Sequence, residues 1–533
     1  MALPGDRSFR GIGRRSNDSA GVTGYAMAKV LTKNCSPMLG FFSNKSTHPL
    51  ADAREAKRIL AEIASREPQA AAEDASAWLE SLAAEESFKL PQRLELILKL
   101  DEATVAHARR LGRDYPVLGG GSRVLESRQW QAGHDYWQQL VTAYLDCLGR
   151  HRAGGKEGDA IRPQLPMVYG RLIHALAAQF KWKCFRYGPV DPEFWQALGS
   201  TYLAAVEAKV AQKPLPLYPG SGETTIEAEY LKVLVFHASS PDNLQPLEME
   251  IAERFIVYFL PYFSLIREVR PENVYWVDAA KPLPPTRLAK LPEVTPTLRF
   301  FNGTRAMEAV GKTIEQIRSE LRVPPGINLG AQYKADLVIP VLEHLAMCWA
   351  PKPPMRGNAR RRIASGLKVV NGLDGVHQHL SGYSFGADSV EAWTVDDVSL
   401  GGFGAQVTVS RNDWIRIGVL VGMQPEGGEN WLIGVVRRYV RTGPNQGSVG
   451  IETISKTPRA VFADAGGLPT EALLLDVPEV GEYARMALPA NALEDKVALL
   501  FDIDDKKARL HPRETLMTGP DFVVANFFVQ SYS

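Results

Sequence analysis

Arg356-Gly-Asn-Ala-Arg360-Arg361-Arg362, followed after a connection by Thr394-Val-Asp396-Asp397-Val-Ser399-Leu-Gly401-Gly402-Phe-Gly404, decides how this chain is read. A strand-like segment, Leu367-Lys-Val-Val370, stands between the two pieces. So does a longer connection, Gly372–Trp393, which carries His377-Gln-His379. The order is two arginines four apart, then Asp-x-Ser-x-x-Gly across a β-hairpin.

These residue types suit a guanine nucleotide. Guanine offers two acceptors, O6 and N7, on one edge, and a guanidinium fork donates to both while its flat face stacks on a base. The opposite edge presents N1–H and N2–H donors, which the carboxylate of Asp397 can accept. Ser399 can bond the sugar-phosphate. Gly401 and Gly402 let backbone approach a ring where a Cβ would collide. Two plainer readings stand beside this one. The arginine run also reads as a solvated basic linker, and Asp397-x-Ser399 as a turn whose side chains cap local backbone.

In this order the residues resemble the PilZ domain, the bacterial receptor module for cyclic di-GMP. Its pattern is Arg-x-x-x-Arg in a lead-in and (Asp/Asn)-x-Ser-x-x-Gly on the barrel, met here by Arg356, Arg360, Asp397, Ser399 and Gly402. Gly434-Val-Val-Arg-Arg-Tyr439 is similar to the family's Gly-x-Val strand, and Val449-Gly-Ile-Glu452 to its closing strand. The resemblance implies a ligand set of Arg356, Arg360, Asp397, Ser399, Gly401 and Gly402, with Arg361 as a second-rank candidate. Whether one cyclic dinucleotide or a stacked pair binds stays open.

Length requires more than one core, with about two to four domains expected. The expected fold class is α+β multidomain. Residues 1–45, rich in Gly, Ser and Arg, read as a disordered segment, and 46–350 as an all-α helical domain. Residues 351–456 read as a PilZ-like antiparallel β-barrel with its arginine-rich lead-in, and 457–533 as a C-terminal β-rich extension. That last piece is either a small barrel of its own or extra strands capping the first. Net charge is +1, so the chain as a whole does not bind polyanions, and the basic run at 356–362 is a local feature that suits a small anion. Cys35, Cys147, Cys184 and Cys348 are scattered, with neither Cys-x-x-Cys nor zinc spacing, which fits reduced thiols in a cytoplasm.

Pro49 and Pro91 open helices whose apolar faces are Ala56, Ile59, Leu60 and Ile63, and Leu94, Ile97, Leu98, Val105 and Ala108. Trp130, Trp137, Val141, Tyr144 and Leu148 recur at helical spacing and read as core. Further helices are expected at 164–186, 192–213, 223–238, 244–266, 304–321 and 333–349. Asn273–Val277 reads as a short strand, and the proline-rich segment to 297 as an extended surface loop. Phe255–Phe263 is about half the length of a bilayer span and contains Pro261, so it reads as buried helix. Barrel strands are expected at 365–371, 394–409, 413–424, 429–441 and 446–454. Trp414, Ile415, Ile417, Val419, Trp431, Ile433 and Val435 form the expected inward set. Five more strands fall between 471 and 530.

No catalytic signature is legible. Gly154-Gly-Lys156 lacks the rest of a phosphate-binding loop. His377 and His379 read as surface residues and not as a metal pair. The expectation is a cytoplasmic cyclic di-GMP receptor, not an enzyme, with no cofactor, metal, membrane span or duplex partner. Its ligand resets the angle between the modules, and its helical domain meets a protein partner. The alternative is a ligand-independent PilZ-like adaptor for motility or pilus machinery. An enzyme in the helical domain would need a polar, convergent pocket there.

Overall fold

A computed structural model describes residues 47–118, 123–327, 329, 333–352, 359–382, 390–409, 414–464, 469–493, 498–503 and 506–531. The expectations for 1–45, for Cys35 and for Arg356 fall outside these residues. The architecture is α+β: helices lead, a closed antiparallel barrel follows, and a further sheet ends the chain.

The helices begin where caps and prolines place them. Asp52 accepts from the backbone N–H of Arg54 and Glu55, so α1 (Ala53–Ser65) starts behind it, and Pro49 instead opens a short 3-10 turn. Pro68 and Pro91 stand in the first turns of α2 (Pro68–Ala84) and α3 (Leu90–Asp114). Then come α4 (Arg123–Arg152), α5 (Gly155–Ala160) and α6 (Leu165–Phe185). After α7 (Pro192–Glu207), a two-stranded hairpin pairs β1 (Leu215–Pro216) with β2 (Glu223–Thr224). The expected faces are the buried ones: Ala56, Ile59 and Ile63 on α1, and Trp137, Val141, Tyr144 and Leu148 on α4.

Asp101 on α3 is fully buried. It accepts from Tyr144 Oη at 2.6 Å and Tyr218 Oη at 3.1 Å, and the Arg171 guanidinium lies 3.7 Å away. Burial pushes its carboxyl pKa up, against the pull of Arg171 and the hydroxyls. With these partners in place the carboxyl group is satisfied and ties the hairpin to the helices.

α8 (Ile226–Ala238) and α9 (Pro246–Phe259) are joined by the 3-10 turn Pro241–Asn243. The helix expected to run to 266 stops earlier, because Pro261 can neither donate nor continue the spiral. The chain turns there into β3 (Ser264–Ile266). β3 joins β4 (Tyr275–Asp278), β5 (Thr286–Arg287) and β6 (Leu298–Asn302) in a four-stranded sheet of order β3-β6-β4-β5. This sheet is an addition to the expected all-α domain. β6 is buried on both faces along Leu298–Phe301 and therefore carries no alternating pattern. α10 (Thr304–Glu320) and α11 (Ala335–Trp349) complete the module. Arg287 donates to the carbonyls of Ala350 and Pro351 and so anchors the point where the chain leaves for the barrel.

His237 on α8 makes an edge-to-face contact with Trp195 at 5.0 Å, and its buried Nδ1 has no hydrogen-bond partner. Burial lowers its pKa to about 4, opposed weakly by Asp242. The folded protein therefore keeps this ring neutral where the unfolded chain protonates it. Its stabilising share is complete above about pH 6.5 and is lost as pH falls toward 4. Unfolding midpoints measured at pH 7 and pH 5 should differ by an amount worth about 1–2 kcal/mol from this residue. His237→Phe should shrink that difference.

The barrel is built from β7 (Arg361–Asn371), β8 (Val390–Ser399), β9 (Gly402–Thr408), β10 (Leu420–Pro425), β11 (Leu432–Gly443) and β12 (Gln446–Ser455). It closes in the order β10-β11-β12-β9-β8-β7. The single strand expected over 394–409 is two, β8 and β9, parted by a turn at Leu400-Gly401. Residues 414–419 are not strand: Ile415, Ile417 and Val419 alternate because they pack in the core shared with the helical module. The 372–393 connection contains α12 (Leu373–Leu380), whose Leu373 and Val376 are buried against the C-terminal sheet and the barrel. That helix takes His377 with it. His377 is only 1% exposed, with Nε2 3.0 Å from the Val461 carbonyl, and His379 packs on Trp431 at 4.3 Å. His377 is therefore not the surface residue expected, and His379 is half-buried.

β13 (Arg459–Ala463), β14 (Thr470–Leu474), β15 (Tyr483–Pro489), β16 (Leu499–Ile503), β17 (Lys506–Thr518) and β18 (Phe522–Ser531) form one sheet of order β13-β14-β15-β18-β17-β16. An isolated bridge between Asp464 and Leu500 brings its edges together. One face holds a core of its own, and the other shares Leu473, Ala487 and Phe522 with the barrel's Val370, Ile433 and Val435.

Helical module and barrel are joined by apolar packing and by polar seams. Tyr187, after α6, accepts at its hydroxyl from Ile417 N–H at 3.3 Å and at its carbonyl from Arg441 N–H at 2.8 Å. Arg416 pairs with Glu126 at 3.0 Å. Arg438 of β11 pairs with Asp242 of the Pro241–Asn243 turn at 2.7 Å.

Candidate functional site

The β8–β9 hairpin sets the motif. Ser399 and Gly402 are paired across a tight turn at Leu400-Gly401, and Ser399 Oγ donates to the Gly402 carbonyl at 3.3 Å. That bond is the local backbone cap of the plainer reading of the serine. A register shift between Val395 and Asp397 moves the strand's alternation by one residue. Trp393 and Val395 are buried ahead of it, and beyond it Val398 packs on the core while Asp397 and Ser399 line a cleft.

Gly402 has a structural duty. A Cβ there would lie 2.0 Å from the Ile451 carbonyl oxygen on the paired strand β12. A Cβ on Gly404 would meet the Asp397 carboxylate at 2.8 Å, and one on Gly450 the Arg438 side chain at 3.2 Å. Glycines thus keep the floor of the cleft low.

A second bulge shapes the opposite wall. On β11 the register shifts between Val436 and Arg438, so Arg437 and Arg438 both project outward between buried Val436 and Tyr439. The cleft between these walls has a volume of about 350 Å³. Arg360, Asp397, Ser399, Gly401 and Gly402 all line it. Arg361 does not: it sits at the start of β7, paired with Val398. Arg356 lies outside the described residues.

Arg437, Arg438, Glu452 and Asn243 line the cleft as well and escaped the sequence analysis. The two arginines were visible inside Gly434–Tyr439. Adjacent charges between apolar positions break the strand's alternation, but only the pairing with β12 places the bulge. Asn243 is far away in sequence and had no local signal.

Every arginine named in the cleft already has a carboxylate. Arg360 Nη1 donates to Asp397 Oδ1 at 2.7 Å, Arg437 Nε to Glu452 Oε2 at 2.7 Å, and Arg438 Nε to Asp242 Oδ2 at 2.7 Å. Each guanidinium carries five N–H donors, so these bonds leave capacity for an anion. Glycine positions beneath three guanidiniums and the carboxylates of Asp396, Asp397 and Glu452 can take a planar base with donor and acceptor edges and the phosphate attached to it.

Residues 54–270 match the family model of the N-terminal domain of the cyclic-di-GMP receptor FimW. The match begins in α1, includes the Pro241–Asn243 turn and ends before β4. It therefore lies in the helical module, ahead of the barrel and the arginine-rich motif. No curated protein matches the chain. Among the described residues no helix is long and apolar enough to cross a membrane.

Proposed function

We propose that this protein is a receptor for cyclic di-GMP whose PilZ-type barrel binds the second messenger in the cleft. One observation carries the reading: Arg360, Asp397, Ser399, Gly401 and Gly402 converge on the same cleft. The similarity of residues 54–270 to the N-terminal domain of a cyclic-di-GMP receptor supports it from a different part of the chain.

In this reading Arg360, and Arg356 ahead of it, take guanine edges and stack on the bases. Asp397 accepts from the N1–H and N2–H edge. Ser399 bonds the ribose-phosphate, and Gly401 with Gly402 forms the surface on which the nucleotide lies. The protein acts by binding and not by catalysis, in the cytoplasm. Binding changes how the helical module meets the barrel, and that module passes the change to a protein partner. Such a switch works only to the extent that the ligand binds the two arrangements unequally.

One observation favours the second reading, a ligand-independent adaptor for motility or pilus machinery. Arg360, Arg437 and Arg438 are each paired with a carboxylate of the chain itself. Isothermal titration with cyclic di-GMP, beside GTP and cyclic GMP, separates the two. Micromolar or tighter binding of cyclic di-GMP alone is the expected result. No binding by folded protein overturns the receptor reading and favours the adaptor.

A further inference from the structure

We infer that Asp242 of the helical module is a positioning residue of the barrel's ligand site, acting through Arg438. The inference rests on the receptor reading and names a part of the site that lies outside the barrel and outside the arginine motif.

Arg438 lines the cleft beside Asn243, from the neighbouring turn. Its Nε is held by Asp242 Oδ2 at 2.7 Å. That bond uses one edge of the guanidinium and leaves donors on the terminal nitrogens for a ligand oxygen. A solvated arginine samples many rotamers, and holding one conformation in advance reduces the entropy lost when a ligand is gripped. Asp242 can hold this geometry because its backbone is fixed. It sits in a 3-10 turn between α8 and α9, behind Pro241, with Asn243 N–H bonded to the Ser240 carbonyl at 3.0 Å. The register shift between Val436 and Arg438 brings Arg438 out to meet it.

The consequence is linkage between ligand binding and module docking. The cleft is complete only when the Pro241–Asn243 turn is seated on β11, so a phosphate gripped by Arg438 favours the seated arrangement. By reciprocity, seating the turn raises affinity for the ligand.

The test is a double-mutant cycle on the full chain, read by titration with cyclic di-GMP and by unfolding midpoint. Arg438→Ala should weaken binding about 30-fold, as the loss of a charge-assisted contact. Asp242→Ala should weaken it about 5-fold, with an unchanged midpoint, as the loss of an exposed ion pair that pre-orients its partner. Asp242→Asn, which keeps an acceptor of the same shape, should fall between wild type and Asp242→Ala. In the Arg438→Ala background, Asp242→Ala should change affinity less than about 2-fold, because the two act as one unit. Full additivity of the two substitutions, or tighter binding by Asp242→Ala, overturns the inference while leaving the receptor reading intact. Absence of binding by the wild-type protein overturns both.

Discussion

Arg360→Ala is expected to lower the affinity for cyclic di-GMP by about two orders of magnitude, the largest loss of any single cleft substitution. Two losses combine. The charge-assisted fork to the base or phosphate is removed, at about 1.5–3 kcal/mol for a bond to a charged group. The Asp397 carboxylate, held at 2.7 Å by Arg360, is left without its cation and faces an anionic ligand. Asp397→Ala should cost less, about 5- to 10-fold, because it removes one acceptor but frees the Arg360 fork for the nucleotide. Arg360→Lys should recover only part of the loss, since an ammonium neutralises Asp397 but neither forks nor stacks. Titration calorimetry on the three variants gives the ranking. If Asp397→Ala cost more than Arg360→Ala, the ligand would be held chiefly through the carboxylate, and the assignment of the arginine would fall.

Gly402→Ala is expected to destabilise the barrel by about 3 kcal/mol. The new methyl would sit 2.0 Å from the Ile451 carbonyl oxygen, 3.1 Å from its carbonyl carbon and 3.3 Å from the Glu452 Cα. All three atoms are backbone of the strand that pairs with Gly402, so relief requires opening the β9–β12 ladder. Gly443→Ala is the control: no atom lies within 4 Å of its added Cβ, and a change below about 0.5 kcal/mol follows. Urea midpoints for the two variants provide the comparison. A Gly402→Ala variant with wild-type stability and lost ligand affinity would move this glycine from strand packing to ligand approach.

The balance of charge in the cleft explains why these variants should differ. In isolation three arginines would make a strongly basic patch, yet Asp397, Glu452 and Asp242 neutralise them one by one. Side chains at each of these pairs remain partly exposed, so the pairs contribute little to stability. Their effect is to hold the three guanidiniums in set orientations.

Much of this molecule is legible locally. Helix faces such as Ala56, Ile59 and Ile63 follow from a period of 3.6 residues, and caps and prolines set most helix starts. The Asp397-Val-Ser399 hairpin and its glycines are a contiguous signal, and they do lie in one cleft with Arg360. Other features depend on neighbours distant in sequence. β6 carries no alternation because both faces are covered, and His377 is buried because α12 is pressed between two sheets. Arg437 and Arg438 face the same way because of a bulge that only the pairing with β12 creates. Asp242 meets Arg438 across nearly two hundred residues, a proximity that no local pattern encodes. Side-chain type and spacing decide what a segment can bind or bury, since those are properties of a few adjacent residues. Which segments share a wall of the cleft is decided by packing among all of them, and that exists only once the chain has closed on itself.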